Sequence, residues 1–316
     1  MRTKSAVVAV STALMAAVLA GCVPPPATTN PPPGATGASP GCGVTTRGAV
    51  TDQAETVSVG GTIRSYTITI PPIHGPRTTK PIPLVFDFHG FIEGAVGTHP
   101  LATQFSPAAI ANGFAVVDPI GTNGGLLWDV SMQEGNPDLV FIDALLAKLE
   151  STLCIDRARV YITGLSYGAF MTSMLMCMRS NTFAAAAPVA GIRNLCTATQ
   201  RKVPFVTFHG TQDPIVPFGG FAGTPQAIAT KYGCVNPPTV AILQPEADPA
   251  TGGVISRTTW DCGPVDSAAE FYVIGGGGHS WPGSWFFGLV AFIVGPTATS
   301  IDATRIIWDF FSKHRL

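Results

Sequence analysis

Charged residues are scarce in this 316-residue chain. Asp, Glu, Lys and Arg make up 12% of it, the formal net charge is −1, and no basic block is present. Because nucleic-acid binding depends on neutralising phosphates with positive charge, this composition argues against a nucleic-acid partner. Hydrophobic residues make up 46% of the chain, which is enough for one large domain with a substantial core.

Long apolar runs are missing from the body of the chain, so no membrane-spanning helix is predicted there. The beginning differs, because Arg2 and Lys4 precede the apolar stretch "SAVVAVSTALMAAVLA", as in export signals. The stretch runs into Leu-Ala-Gly-Cys, which resembles the lipobox of bacterial lipoproteins. We therefore expect residues 1–21 to be a lipoprotein signal peptide and a lipid on Cys22 to hold the chain at the outer face of the cell membrane. An ordinary secretory signal or an uncleaved anchor is the alternative.

Cys-x-x-Cys spacings and His-rich tracts are also absent, so the sequence predicts no metal site and implies no cofactor. Six cysteines remain besides Cys22, and an even number in an exported chain predicts disulfides. Six cysteines allow many pairings. Sequence order favours local closures, which gives the pairs Cys177–Cys196, Cys234–Cys262 and, by remainder, Cys42–Cys154.

The chain divides into a tether and a folded domain. Residues 22–41 are rich in Pro and have no apolar period, so we expect an extended tether after the lipidated cysteine. In residues 42–316, short apolar runs such as "PLVFDFHG", "RVYIT" and "VPFVTFHG" alternate with helical patterns such as "DLVFIDALLAKLESTL". This alternation predicts an α/β fold, with a mostly parallel central sheet covered by helices on both faces.

A serine stands between glycines where a predicted strand meets a predicted helix. Gly164, Ser166 and Gly168 form Gly-x-Ser-x-Gly in "RVYITGLSYGAF". The turn is so tight that only glycine fits two residues away from the serine, and it exposes the hydroxyl at the start of the helix, where the helix dipole favours negative charge. The pattern predicts a nucleophilic serine; a glycine-rich loop is the alternative.

A serine nucleophile needs a base, which is usually a histidine oriented by a carboxylate. In this kind of fold the chain order is serine, acid, histidine. His279 and His314 follow Ser166 and a plausible acid. His279 lies in "GGGGHSWPG" directly after a predicted buried strand, whereas His314 is two residues from the end. We therefore predict that His279 is the base.

Asp213 is the predicted acid, because it follows the buried run "VPFVTFHG" and would lie at the carboxyl end of that strand. An Asx turn before Pro214 is the other reading of this residue. The weaker candidates, none of which follows so clear a strand, are Glu246, Asp248, Asp261 and Asp266.

The oxyanion formed in acyl transfer needs backbone N–H donors, one after the nucleophile and one in the loop after an earlier strand. These are predicted to be the amides of Tyr167 and Phe91, the second in "VFDFHGF". Trp128 and Trp281 are candidates for an acyl pocket, although aromatic residues serve as often in a core.

These stretches together resemble a known family. "FHGF", "CIDRARVYITGLSYGAFMTSML", "FHGTQDPIVPFGG" and "GGGGHSWPG" are similar, in order and spacing, to the secreted polyhydroxybutyrate depolymerase and feruloyl esterase group of α/β-hydrolases. The resemblance implies an α/β-hydrolase fold with Ser166 as nucleophile, Asp213 as acid and His279 as base. It also implies oxyanion amides near Phe91 and Tyr167, and disulfides in an exported domain.

Two stretches depart from the family pattern. Ala169 stands where many members have a further glycine, and residues 284–295, "SWFFGLVAFIVG", are unusually apolar. The apolar segment is either a core element or an apolar rim that grips a hydrophobic ester or touches the membrane.

The sequence therefore predicts a serine carboxylic ester hydrolase that works through an acyl-enzyme. The ester would be a hydroxyalkanoate oligomer, a feruloyl or acetyl sugar ester, or a short lipid ester. Two alternatives stay open: a cell-envelope acyltransferase with the same three residues, and a non-catalytic surface binding lipoprotein.

Overall fold

A computed structural model describes residues 37–197, 200–243, 246–263 and 268–316. The predicted signal peptide, the predicted lipid site at Cys22, most of the predicted tether and Asp266 lie outside the described residues. Among the described residues, no helix combines the length and apolar character needed to span a membrane.

The described residues form one mixed sheet with the strand order β1-β2-β4-β3-β5-β6-β7-β10-β9-β8. The strands β4, β3, β5, β6, β7 and β10 run parallel, and antiparallel strands flank them on both sides. The bounds are β1 Val50–Val59, β2 Thr62–Ile70, β3 Ile82–Phe88, β4 Ala115–Pro119, β5 Ile155–Leu165, β6 Ala185–Val189, β7 Phe205–Gly210, β8 Thr239–Ile242, β9 Ile255–Trp260 and β10 Ala269–Ile274.

The helices connect the strands. They are α1 Glu93–Val96, α2 His99–Thr103, α3 Phe105–Asn112, α4 Thr122–Gly125, α5 Pro137–Thr152, α6 Tyr167–Met178, α7 Thr224–Tyr232, α8 Trp285–Leu289, α9 Ala291–Val294 and α10 Ala303–Phe311, with a 3-10 turn at Phe218–Gly220. The helix α5 starts where the sequence predicts a start, because the side chain of Asn136 accepts hydrogen bonds from the N–H groups of Asp138 and Leu139.

Alternating side chains of the buried strands build a core on each face of the sheet. In β3, Leu84 and Phe86 pack on the face that α5 and α6 cover, whereas Val85 packs on the face of α3 and α10. Because side chains alternate across a strand, a continuous apolar run such as β3 requires cover on both faces. The predicted α/β architecture is confirmed.

The described residues contain three disulfides, one that spans 112 residues and two that close shorter loops of 19 and 28 residues. They are Cys42–Cys154, Cys177–Cys196 and Cys234–Cys262, the pairs that sequence order favours. The first connects the start of the folded domain to the residue that precedes β5. Closing so long a loop restricts the unfolded chain, which favours the folded state.

The segment 284–295 is predicted to be either a core element or an apolar rim, and the structure gives it features of both. It forms α8 and α9, which expose Trp285, Leu289 and Phe292 and bury Phe287 and Val294. Phe287 and Val294 belong to the hydrophobic core, so the segment is a core element on one side and an exposed apolar surface on the other.

Candidate active site

Ser166 lies on the sharp turn between β5 and α6. Its backbone has φ 58° and ψ −114°, a conformation that a residue other than glycine rarely adopts. The Ser166 N–H donates to the carbonyl of Val189 at 2.9 Å, and the Ser166 carbonyl accepts from the N–H of Phe170 at 3.0 Å. These bonds hold the strained turn at the carboxyl end of the parallel strands.

Glycines on both sides of Ser166 let this turn approach the end of β3. A Cβ atom added to Gly164 would lie 2.6 Å from the carbonyl oxygen of Phe88, and one added to Gly168 would lie 1.8 Å from the same oxygen. Neither position has room for a side chain. The Gly-x-Ser-x-Gly pattern thus follows from a backbone contact between β3 and the turn.

His279 and Asp213, which are 66 residues apart, are hydrogen-bonded. Nδ1 of His279 lies 2.7 Å from Oδ2 of Asp213, and both side chains are buried. Since the carboxylate accepts the Nδ1 proton, Nε2 is the basic nitrogen of the neutral ring. This is the tautomer that general-base catalysis requires.

The other oxygen of Asp213 holds its own loop. Oδ1 accepts hydrogen bonds from the N–H groups of Ile215 at 2.9 Å and Val216 at 2.8 Å. The Asx turn and the contact with His279 therefore coexist, one on each oxygen, and the two readings of Asp213 do not compete.

Asp213 stays ionised in this environment. Burial raises the pKa of Asp213, but hydrogen bonds from His209 and His279 outweigh burial and hold the pKa well below its ordinary value. Nε2 of His209 lies 3.3 Å from Asp213 Oδ2 and donates to the carbonyl of Val216. A charged Asp213 stabilises the imidazolium that forms when His279 takes a proton.

The loop of His279 is joined to the end of α9. The His279 N–H donates to the carbonyl of Val294 at 2.6 Å, and the N–H of Gly278 donates to the carbonyl of Pro296 at 2.7 Å. A Cβ atom on Gly278 would lie 2.1 Å from the Val294 oxygen, so the run of glycines permits this close pairing.

Ser166 and His279 line the same cavity, which has a volume of about 360 Å³. Most of its wall is apolar. The lining residues are Gly90, Phe91, Ile92, Glu93, Val96, Thr98, Leu165, Ser166, Ile215, His279, Phe286, Phe287, Val290, Ile293 and Val294. Phe91, predicted to supply an oxyanion amide, is on this wall, and Tyr167 begins α6 next to Ser166.

A buried ionic chain supports the loop that contains Phe91. The N–H of Gly90 donates to Oε2 of Glu93 at 2.6 Å. Nδ1 of His99 lies 3.1 Å from the same oxygen, and Nε2 of His99 lies 2.9 Å from Oδ1 of Asp87. These ion pairs were not predicted from the sequence; the signal was the pair of polar residues in "FIEGAVGTHP", directly after a strand that ends in Asp-Phe-His-Gly.

We expect Glu93→Ala to lower kcat for ester hydrolysis by about tenfold to a hundredfold, because small displacements of groups around a reacting centre are costly. Without its carboxylate acceptor, the Gly90 amide no longer fixes the loop of Phe91. KM should change little, and Glu93→Gln, which keeps an acceptor oxygen, should recover part of kcat. Steady-state kinetics checks this. Glu134→Ala, which removes an exposed partner of Arg179, is the control; an equal loss there would contradict the prediction.

His99 is the cation of this buried chain. Burial alone lowers the pKa of His99, but the negative charges of Asp87 and Glu93 outweigh burial and raise the pKa well above its ordinary value. Asp118 comes close to the same group, and burial and the charge of Asp87 raise its pKa well above the ordinary value. We interpret the cluster of Asp87, His99 and Asp118 as an ion-paired support.

The stability that His99 contributes should depend on pH. A raised pKa in the folded state means that folding favours the proton on His99. The contribution is therefore fully present below the unfolded pKa of about 6.5 and is lost as pH rises through the raised folded pKa. Below pH of about 6.5, His99→Gln should cost about 3 kcal/mol of unfolding free energy, since it leaves buried carboxylates without their cation. Denaturant unfolding across a pH series measures this.

His74 provides a control, because the stability that it contributes should depend on pH in the opposite direction to that of His99. Burial lowers the pKa of His74, and its Nε2 accepts the N–H of Cys154 at 3.0 Å. Its contribution should be lost as pH falls, because the unfolded chain binds the proton more readily. A His99→Gln difference that grows, rather than declines, toward alkaline pH would contradict the assignment of the cation.

Trp128 does not line the cavity, so its prediction as an acyl-pocket residue is wrong. It is buried, its Nε1–H donates to the carbonyl of His89 at 2.9 Å, and its ring packs on the His89 ring. Nε2 of His89 accepts the N–H of Gly121 at 2.9 Å, and burial lowers the pKa of His89 to about 4. Trp128 and His89 therefore brace the loop after β3 from within.

Trp281 is also absent from the cavity wall. Its ring is buried against Phe105, and its Nε1–H donates to Oγ1 of Thr304 at 2.9 Å. Being near His279 in sequence misled the prediction, because the chain turns between the two residues and places Trp281 in the core below α10.

Comparisons with known proteins agree with this architecture. A model of the prolyl oligopeptidase family matches residues 111–217, which include Ser166 and Asp213. Feruloyl esterase C of Emericella nidulans is 30% identical over 176 residues, 54% of this chain and 63% of that protein. Feruloyl esterase D of Neurospora crassa is 27% identical over 282 residues, 83% of this chain and 86% of that protein.

The chain spans less than two thirds of the length of the first of these relatives. Among solved structures, the acetyl xylan esterase from Aspergillus awamori has a TM-score of 0.56 at 16% identity, covering 76% of this chain and 98% of that one. The matches confirm the predicted α/β-hydrolase fold and the predicted resemblance to feruloyl esterases.

Proposed function

We propose that this protein is a serine carboxylic ester hydrolase with Ser166 as nucleophile, His279 as general base and Asp213 as the residue that orients His279. The observation that carries the proposal is the shared cavity. The strained Ser166 and a His279 whose Nδ1 is held 2.7 Å from Asp213 line the same wall. A buried, oriented base that shares a cavity with a serine on a strained turn is the arrangement that acyl transfer needs.

The proposed reaction has two halves. Oγ of Ser166 attacks the ester carbonyl carbon while Nε2 of His279 takes the hydroxyl proton, and the collapse of the tetrahedral intermediate passes that proton to the departing alcohol. Water then attacks the acyl-serine and gives a proton to His279. The second collapse returns this proton to Ser166 Oγ and releases the acid.

The negative oxygen of each tetrahedral intermediate would receive hydrogen bonds from the amides of Tyr167 and Phe91. The Tyr167 amide is at the start of α6, where N–H groups lack partners within the helix and the dipole favours negative charge. Each such donor lowers the barrier by roughly 3 kcal/mol. Chemistry of this kind uses no metal or organic cofactor.

Relatives guide the proposed substrate range and location. The matched proteins are named feruloyl and acetylxylan esterases, so a carboxylic ester is the proposed bond. Three disulfides are typical of exported proteins, and we propose that the chain works outside the cell. Anchoring through a lipid on Cys22 remains part of the proposal.

Turnover of p-nitrophenyl acetate by the full chain, with and without an added alcohol such as glycerol, tests the proposal. The expected product is free acid, formed in the wild type and lost in Ser166→Ala. Glycerol ester as the main product would favour an acyltransferase. No Ser166-dependent turnover of any ester would favour a binding protein instead.

A further inference from the structure

Exposed apolar side chains lie on the wall of the cavity and on the two short helices that contribute to it. One group is Leu289, Phe292 and Ile293 of α8 and α9, which are 66%, 85% and 59% exposed. The other group is Phe91, Ile92 and Val96, which line the cavity and are also exposed. We call these six residues the apolar rim. Soluble proteins rarely expose a large contiguous apolar patch without a function for it.

The chain around the rim residues of α8 and α9 carries no charged side chains. Residues 281–300 contain no Asp, Glu, Lys or Arg. The rim is also continuous with the interior, because Ile293 is both exposed and part of the cavity wall, and Val290 and Val294 line the wall beside it. An apolar path therefore leads from solvent to Ser166.

The wall offers few partners to a polar acyl group. Apart from the proposed reacting residues Ser166 and His279, its polar side chains are Glu93 and Thr98. Glu93 already accepts the Gly90 N–H and pairs with His99. A phenolic or sugar hydroxyl loses hydrogen bonds to water when it is buried without partners, whereas an aliphatic chain gains from leaving water.

We infer that the cavity takes the aliphatic acyl chain of a lipid ester and that the apolar rim contacts the aggregated lipid from which that ester comes. The inference rests on the proposed function and names its substrate class. Contact with the aggregate buries the rim, and the acyl chain moves along the apolar path until its ester carbonyl reaches Ser166.

Three of the rim residues belong to α8 and α9, and the end of α9 supports the proposed base through the hydrogen bond between the His279 N–H and the Val294 carbonyl. Substitutions for the test must therefore leave the end of α9 in place. Leu289 and Phe292 are suitable because they are exposed and do not line the cavity. The control pair is Val240 and Ile242 of the edge strand β8, which are also exposed, at 63% and 65%, and lie outside the cavity wall.

Tributyrin is the test substrate, because the same ester can be supplied dissolved or, above its solubility limit, as an emulsion. For the full-length wild type, we expect the rate to rise steeply once the emulsion forms. The ratio of the emulsion rate to the dissolved rate should fall at least about tenfold in Leu289→Ser/Phe292→Ser, which removes two apolar contacts with the aggregate. The ratio should be unchanged in Val240→Ser/Ile242→Ser, and circular dichroism verifies the fold of both variants.

The second part of the experiment measures which acyl groups the protein prefers. kcat/KM should rise from p-nitrophenyl acetate to the octanoate and should exceed the value for methyl ferulate. The inference would be overturned by kcat/KM values that stay flat or fall with acyl length, by a rate that does not rise when the emulsion forms, or by an equal fall of the rate ratio in both double variants. Ser166-dependent hydrolysis of the acetate would still uphold the proposed function in each case. Two other results would also overturn the inference: a wild-type dimer that the rim variant converts to monomer, and turnover confined to a hydroxybutyrate polyester film.

Discussion

Replacement of Ser166 by Ala is expected to lower kcat for p-nitrophenyl ester hydrolysis by about 10⁶-fold, the loss found when a serine nucleophile is removed from a comparable site. The variant cannot form the acyl bond, and His279 has no hydroxyl to activate. The turn itself should survive, since its strained backbone is held by Val189 and by glycines rather than by the hydroxyl. Initial rates at saturating ester measure the effect.

Ser180→Ala is the matched control. Ser180 follows the end of α6 and is 6% exposed, against 7% for Ser166. The control should keep the wild-type kcat. A Ser166→Ala variant that retains more than about a hundredth of the rate would contradict the assignment, because other groups in such a site supply far less than the nucleophile does.

Asp213→Asn should lower kcat by about 10⁴-fold with little effect on folding, by analogy with the same change in other serine hydrolases. The Asn carbonyl oxygen can keep the hydrogen bonds from Ile215 and Val216 that hold the turn. Its amide group then faces Nδ1 of His279 and donates to it. The proton of the neutral ring moves to Nε2, which can no longer act as base. kcat and a thermal melt, measured together, separate this effect from unfolding.

Asp248→Asn is the control for Asp213→Asn, because it should affect stability rather than kcat. Burial raises the pKa of Asp248, but hydrogen bonds from Ser300 and neighbouring backbone N–H groups outweigh burial and lower the pKa to about 2. Oδ2 of Asp248 accepts three bonds from Thr299 and Ser300. Its neutralisation should lower stability and leave kcat nearly unchanged. An Asp213→Asn variant that behaves like Asp248→Asn would show that Asp213 is structural only.

The buried strands were predictable because each is a short apolar run that ends at a turn. β3, β5 and β7 appear near their predicted places, and the parallel arrangement brings their carboxyl ends together. The convergence of Ser166, Asp213 and His279 was predictable for the same reason. Each follows the carboxyl end of a strand, so topology alone places them at one edge of the sheet.

The short helices and ion pairs that support the loop of Phe91 were not predictable in this way. The helices α1, α2 and α4 have four or five residues, too few to show an apolar period. Ile92 and Gln104, which precede or follow these helices, have positive φ values of 65° and 59° without being glycine. The backbone of Gln104 forms a left-handed cap, with its N–H donating to the carbonyl of Pro100, at a residue type that does not signal such a cap.

The tryptophan predictions failed because sequence distance from the site is a poor guide to side-chain direction. Trp128 and Trp281 satisfy their indole N–H groups with His89 and Thr304 inside the core. The sequence could not decide whether segment 284–295 is a core element or an apolar rim. Helices of four and five residues are too short to show a period from which a buried face could be identified. In the structure Phe287 and Val294 of this segment are in the core, whereas Ile293 is exposed and also lines the cavity.

The proposed triad is tested most directly by covalent labelling with a fluorophosphonate, followed by intact-mass measurement and peptide mapping of the full chain. The account predicts one adduct per molecule, located on Ser166. It also predicts no adduct in Ser166→Ala and a labelling rate that falls at least about a hundredfold in His279→Ala, where no base activates the hydroxyl. An adduct on another residue, or ester turnover by a wild type that the reagent does not label, would contradict it.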